Sequence, residues 1–274
     1  MLPNLSFLLT SLRGPLRAGN HRKLRVRAAP NVTLGLHHVP CHCRAASAVI
    51  LGPLTQQDVD VGSFIRWQPP PWYYSWALPR RRPPHVGLLA QGLQRSLDAA
   101  GRVAPLTHPS PDLVAAIGPG VVTFLSDVET ERWGNGTLEA LAERSGAHLV
   151  LTLGEKGAEE LRQGRRRRHL ACEVSAVVDT NGAGDSFATA YMLALAGGHL
   201  EPAAVANWAG AAAVGQPQRC KPLCVRDALL ERWQSMPQPQ LRGRPASPVC
   251  RGLIGVAGPA AGSAARLLGL CRGV

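Results

Sequence analysis

Residues 177–198 read VVDTNGAGDSFATAYMLALAGG and join a short apolar stretch to a long run of helix-forming residues. Gly182 and Gly184 stand at the join, where glycines let a bulky anion reach the unpaired backbone N–H groups that begin a helix. Asp185 follows at once and would repel a bound anion, so its position indicates chemistry, such as accepting a proton from an attacking hydroxyl. Aspartate in a first helical turn also offsets the helix dipole, which is the structural alternative. The pattern predicts a strand, a phosphate-binding turn and a helix.

The string from Asp179 to Asp185, DTNGAGD, resembles the C-terminal signature of the ribokinase-like (PfkB) carbohydrate kinase family. The resemblance implies an α/β ribokinase-like fold, with a mainly parallel sheet and helices on both of its faces. It implies an anion hole at Gly182, Ala183 and Gly184, to which the Asp185 amide contributes, and Asp185 as the catalytic base. The partners implied are ATP as co-substrate, Mg²⁺ as cofactor and a small sugar or polyol as acceptor.

Two further segments resemble family elements near the nucleotide. In FLSDVETE, residues 124–131, Glu129 matches a glutamate that helps to place magnesium and phosphate, so it is implied as an indirect metal ligand. Ser126 stands where the family has asparagine, so this match is partial. In AVANWAGAAAVGQ, residues 204–216, Asn207 matches an asparagine in the Ala-rich helix beside the adenine. An exposed helical side chain is the structural alternative for Asn207.

The segment VLTLGEKGA, residues 150–158, resembles the strand end and glycine turn on which the family seats its nucleotide. The residues implied in nucleotide binding are Thr152, Gly154 and Gly157. Without the resemblance, Gly-x-x-Gly after a strand is more typical of a hairpin turn. The segments ILGPLTQQDVD and GLLAQGLQRSLDAAGRV also resemble the plant inositol-kinase-like branch of the family.

Strand and helix patterns alternate along the chain, which indicates a parallel sheet covered by helices. Ligands bind such sheets beyond the carboxyl ends of the strands, so strand ends at Ser126, Thr152 and Asp179 should face one cleft. The predicted strands lie at 48–51, 85–95, 120–126, 147–154 and 174–178, the last paired with 165–168, and the predicted helices at 136–146, after the motif turn, 201–216 and 226–233.

Composition divides the chain into three parts. Residues 1–47 are basic, and we expect a disordered or targeting segment. Residues 48–236 should form a partial ribokinase-like kinase domain with a Pro-rich insertion at 68–84, and residues 237–274 a disordered tail. The family's N-terminal Gly-Gly element, substrate aspartate and β-sheet lid have no match before residue 48, so we expect the lid to be absent.

The net charge of +12 comes from the ends of the chain, because residues 58–236 hold 18 basic and 18 acidic side chains. Nucleic-acid binding is therefore the less favoured alternative, although Arg80–82 and Arg165–168 form basic runs. No apolar run reaches the length of a membrane span, so we expect no membrane partner. The seven cysteines show no zinc-site spacing and suggest a reducing compartment: the cytoplasm, or an organelle if residues 1–30 are a transit peptide.

These observations predict ATP-dependent phosphoryl transfer to a hydroxyl of a sugar or polyol, with Asp185 as the base. The alternative is a catalytically degenerate homologue that acts as a binding or regulatory protein. The unmatched substrate half favours this alternative, whereas retention of Asp185 and Glu129 favours the enzyme.

Overall fold

The computed structural model of the protein describes residues 7–10, 23–26, 33–39, 46–66 and 85–217. The predicted Pro-rich insertion, the predicted helix at 226–233, the C-terminal tail and most of the basic N-terminal segment lie outside the described residues. Within the described residues, no helix is both long enough and apolar enough to span a membrane.

The fold is α/β and is built on a six-stranded sheet. The strands are β1 Phe7–Thr10, β2 Lys23–Val26, β3 Ala48–Leu51, β4 His85–Leu89, β5 Arg95–Leu97, β6 Val103–Pro105, β7 Val121–Ser126, β8 His148–Thr152, β9 Ala158–Arg162 and β10 Arg165–His169. The six-stranded sheet has the order β10-β9-β8-β7-β4-β3, and β1-β2 and β5-β6 form separate antiparallel pairs. Strands β3, β4, β7 and β8 run parallel, whereas β9 and β10 are antiparallel to their neighbours.

Helices cover both faces of this sheet, as predicted. They are α1 Val61–Ile65, α2 Pro111–Ala116, α3 Asp127–Thr130, α4 Thr137–Ala142, α5 Ala183–Ala196 and α6 Pro202–Val214, with short 3-10 helices at Leu36–His38, Ala90–Gly92 and Gly154–Lys156. Alternate strand residues face opposite ways, so Leu88 and Leu149 pack in one core with α1, α2 and α4. Phe124 and Val150 pack in the other core with α5 and α6.

Aromatic contacts fix the direction of α5 across the sheet. Phe187, in its second turn, lies edge-on to Phe124 of β7 with ring centroids 6.3 Å apart. Tyr191, one turn later, contacts His148 at the start of β8 with centroids 5.9 Å apart. The helix therefore runs antiparallel to the parallel strands, which brings its N-terminus toward their carboxyl ends.

The strand predicted at 174–178 is wrong. Residues 171–180 form neither helix nor strand, and β10 pairs instead with β9 through a two-residue turn at Gln163 and Gly164. Both turn residues have positive φ, 52° and 73°, as a tight hairpin turn requires. Val178 and Asp179 instead donate their N–H groups to the carbonyl of Val214, at 3.0 and 3.1 Å. Asp179 therefore does not end a strand.

Candidate functional site

The glycine turn before α5 contains a residue in the left-handed backbone conformation. Gly182 is the N-cap residue and has φ 73° and ψ 6°, a conformation that favours glycine. The Asn181 N–H donates to Asp179 Oδ1 at 2.9 Å, and the Ala183 N–H donates to the Thr180 carbonyl at 3.3 Å. The DTNGAGD string therefore folds as an Asx turn followed by a glycine that opens the helix.

Asp185 lies in the first turn of α5 and is exposed to solvent. Its Oδ2 is 4.0 Å from the position that a Cβ would take on Gly182, so the carboxylate folds back over the turn. The amides of Gly184 and Asp185 belong to the first turn, where backbone N–H groups have no partner within the helix. This turn can thus present amide donors to an anion beside an accessible carboxylate.

Glu129 and Ser126 form a capping box at the start of α3. The Ser126 N–H donates to Glu129 Oε2 at 2.9 Å, and the Glu129 N–H donates to Ser126 Oγ at 3.3 Å. The short helix is stabilised by this reciprocal pair, because both orphan donors find acceptors. Burial raises the pKa of Glu129, while the Ser126 bonds and the positive charge of Arg95 oppose that rise.

Magnesium is the cofactor that the resemblance implies, and Glu129 is its candidate ligand. Mg²⁺ in phosphoryl-transfer sites takes one or two carboxylates and completes its shell with phosphate oxygens and water. A half-buried glutamate beyond the end of β7 fits such an outer role, although one of its oxygens already caps α3. Within the part of the chain that the structure describes, no three His, Cys, Asp or Glu side chains cluster as a complete metal site.

Thr152 ends β8 and lies beside Ser126 of β7 in the parallel register. Its hydroxyl donates to the Leu125 carbonyl at 3.2 Å, which ties the two strand ends together. The structure therefore brings Ser126 and Thr152 to one edge of the sheet, as predicted from the sequence.

The turn after β8 needs both of its glycines. Gly154 has φ 58° and begins a 3-10 turn, and Gly157 has φ 91° and ψ −133°. A Cβ on Gly157 would lie 2.1 Å from the His169 carbonyl oxygen and 2.6 Å from the Ala171 nitrogen. The close approach of residues 169–171 gives Gly157 a packing role that the sequence did not reveal.

Asn207 is buried in α6 rather than exposed. Its Nδ2 donates to the carbonyls of His169 and Leu170, at 3.3 and 2.9 Å. Asn207 and Gly157 therefore meet on the same short segment at the end of β10. This contact gives Asn207 a structural role, while a role beside adenine stays a prediction.

A buried polar cluster adjoins the site, and the sequence analysis missed it. It consists of His148, Glu160, His169 and Tyr191. The available signal was weak: Glu160 shares a strand face with buried Ala158, an inward position where a lone carboxylate is costly. Its partners are too far away in sequence for any local pattern to identify them.

Comparison with known proteins gives a family match over part of the chain. Residues 130–224 match the model of the pfkB family of carbohydrate kinases, so the resemblance seen in the sequence is confirmed over this stretch. The match includes the turn after β8, the DTNGAGD string and Asn207, and it begins one residue after Glu129. Over residues 130–224 the chain is therefore similar to the pfkB family, and this stretch lies within an α/β fold.

Solved structures similar to the chain include several kinases. They include adenosine kinase from Sinorhizobium meliloti (28% identity; 41% of this chain and 37% of that chain; TM-score 0.35), aminoimidazole riboside kinase from Salmonella enterica, solved with aminoimidazole riboside and an ATP analog (24%; 44% and 45%; 0.38), and the nucleoside kinase of Methanocaldococcus jannaschii (19%; 56% and 49%; 0.41). The chain spans less than half the length of each. No curated protein matches it. The likeness to the plant inositol-kinase-like branch stays a prediction.

Proposed function

We propose that the protein transfers the γ-phosphoryl group of ATP to a hydroxyl of a small sugar or polyol. The observation that carries this proposal is the turn from Gly182 to Asp185. It combines a left-handed glycine, first-turn amides and an exposed carboxylate at the N-terminus of a 14-residue helix. The family match over residues 130–224 supports the same class of reaction.

In this mechanism the amides of Gly184 and Asp185 receive the transferred phosphoryl group and spread its developing charge. The Ala183 N–H, also expected in the anion hole, donates to the Thr180 carbonyl at 3.3 Å in this structure and would have to leave that bond to take part. Asp185 accepts the proton of the acceptor hydroxyl as that oxygen bonds to the γ-phosphorus, while the bond from this phosphorus to the bridging oxygen breaks and ADP leaves. Magnesium, when bound, would neutralise phosphate charge near Glu129.

The nucleotide would lie along the carboxyl edge of the sheet. Thr152 and the turn from Gly154 to Gly157 end β8 at that edge, and the N-terminus of α5 points toward it. Asn207 holds residues 169 and 170 against the same turn, so α6 borders the proposed nucleotide-binding surface. These roles in nucleotide binding are part of the proposal.

The substitution Asp185→Asn tests the assignment of the base. It keeps the backbone amides but removes the proton acceptor, so ATP affinity measured by calorimetry should change little while turnover falls roughly 100-fold or more. Asp112→Asn is the matched control, because Asp112 is another exposed aspartate in the first turn of a helix, α2. Full turnover in Asp185→Asn would remove Asp185 as the base.

A second candidate is a homologue that binds nucleotide without efficient transfer. The exposure of Gly184 and Asp185 favours it, since phosphoryl-transfer sites exclude water when they react. Calorimetry with magnesium-ATP, followed by coupled assays with ribose, fructose, adenosine and inositol, separates the candidates. Weak activity without discrimination among acceptors would favour the binding protein, and strong selectivity for one acceptor would favour the kinase.

Nucleic-acid binding is the least favoured candidate. Arg166, Arg167 and Arg168 of β10 lie within 4 Å of glutamate oxygens, which compensates much of their charge. Phosphate-dominated binding would weaken steeply as salt rises, so a salt titration with a short duplex tests it. A cytoplasmic or organellar location stays a prediction.

A further inference from the structure

A buried polar cluster lies between the sheet and α5 and joins four elements: His148 of β8, Glu160 of β9, His169 of β10 and Tyr191 of α5. We propose that Tyr191, held by this cluster, is a positioning residue that sets where the first turn of α5 lies relative to the Gly154–Lys156 turn. The inference rests on the proposed function, because both turns belong to that candidate site.

The hydrogen bonds of the cluster are mutually consistent. The Tyr191 hydroxyl donates to Glu160 Oε1 and accepts from His148 Nε2–H at 2.9 Å. His169 Nε2–H donates to Glu160 Oε2 at 2.9 Å. Tyr191 is only 1% exposed, so water cannot replace these partners without opening the core. The hydroxyl therefore fixes the position of α5 along its own axis relative to β8 and β9.

The carboxylate at the centre of the cluster carries its charge at neutral pH. Burial alone would raise the pKa of Glu160, but the nearby His148, whose Nε2 lies 3.9 Å from Oε1, and the hydrogen bonds from Tyr191 and His169 lower it to about 2. Hydrogen bonds to an ionised acceptor are stronger than neutral ones, so this anchor is stiffer than an ordinary core contact.

His169 connects the same cluster to the other half of the candidate site. Its side chain bonds Glu160, while its carbonyl accepts from Asn207 Nδ2 at 3.3 Å and would lie 2.1 Å from a Cβ on Gly157. One oxygen of Glu160 thus holds α5 and the other holds the strand end against which the glycine turn packs. A displacement of α5 along its axis must break the Tyr191 bonds before it moves the anion turn.

The test uses Tyr191→Phe, which keeps the ring and its edge-on contact with Phe124, 5.4 Å between centroids, and removes only the hydroxyl. The matched control is Thr123→Val, which removes a buried hydroxyl that has no hydrogen-bond partner among the described residues. Hydrogen exchange without nucleotide compares the amides of residues 186–190 with those of the central strand β4. The KM for ATP and kcat are measured in parallel well below the melting temperature.

In Tyr191→Phe we expect exchange at residues 186–190 to rise roughly 10-fold relative to β4, with no such rise in Thr123→Val. The KM for ATP should rise more than kcat falls, because the first turn of α5 and the Gly154–Lys156 turn would no longer be aligned to bind the nucleotide. Equal acceleration in β4, or no change in α5, would overturn the proposal. If the wild-type protein fails to bind ATP, the proposed function fails, and the exchange comparison still decides the positioning role. Glu160→Gln should loosen the same amides, and protection equal to wild type there would also overturn it.

Discussion

The Glu160 carboxylate should make the stability of the protein fall in acid, and Glu160→Gln should remove that dependence. The pKa of Glu160 is about 2 in the folded protein, below its ordinary value of 4.5, because the neighbouring His148 and the hydrogen bonds from Tyr191 and His169 outweigh the effect of burial. A lowered folded-state pKa stabilises the protein above the unfolded-state pKa. This stabilisation is lost as the pH falls from about 4.5 through about 2.

The size of the effect follows from that shift. At about 1.36 kcal/mol per pKa unit, the carboxylate contributes at most about 3 to 4 kcal/mol to the free energy of unfolding at pH 7. The side chain is 17% exposed, so solvent screening lowers this figure to roughly 2 kcal/mol. At pH 3 the unfolded chain is mostly protonated, and more than half of the contribution is lost.

Urea unfolding followed by circular dichroism at pH 7, 5, 4 and 3 measures the effect. The difference in unfolding free energy between wild type and Glu160→Gln should shrink by about 1 to 2 kcal/mol between pH 7 and pH 3. Thr123→Val removes no titratable group, so its difference from wild type should stay constant. A constant difference for Glu160→Gln would refute the assigned hydrogen bonds, since they are what lowers the pKa.

Three further substitutions test the packing of the site. Gly157→Ala should cost about 3 kcal/mol or more in urea unfolding, through its clash with the His169 carbonyl and its positive φ, whereas Gly198→Ala, with φ 76° and open space, should cost about 1 kcal/mol. Ser126→Ala should lower the free energy of unfolding by about 1 kcal/mol, because it removes the cap of α3. A loss below about 0.3 kcal/mol, which is roughly the error of urea unfolding, would count against the cap. Asn207→Ala should cost about 2 kcal/mol by losing two buried hydrogen bonds; calorimetry with ATP then reports any separate binding role.

Local sequence patterns predicted the buried parallel strands well. The strand predicted at 48–51 has those bounds, and the strands predicted at 120–126 and 147–154 are observed at Val121–Ser126 and His148–Thr152. Their apolar runs match buried parallel strands, which face helices on both sides. The error at 174–178 arose because Val174, Val177 and Val178 look like such a strand, although Val177 is 66% exposed.

Contacts between distant residues explain what the sequence could not provide. Asn207 was expected to be exposed unless it bound adenine, but its partners lie 38 and 37 residues away, at His169 and Leu170. The role of Glu129 was available locally, because Ser-x-x-Glu before a short helix is the pattern of a capping box. The same glutamate therefore satisfies both a family motif and a local capping pattern, and the structure shows the capping contacts.

Structural roles account for the identity of most of the candidate site residues, but not for that of Asp185. Gly157 is required by packing, Asn207 holds two carbonyls, and Glu129 caps a helix, so folding alone would account for each. Asp185 differs, because the described residues provide its carboxylate with no hydrogen bond or ion pair. An acidic side chain there stabilises the helix by only about 0.3 to 1 kcal/mol through the dipole. The functional conclusion therefore depends on Asp185 and its turn, and Asp185→Asn is the substitution whose effects on turnover and on stability should differ most.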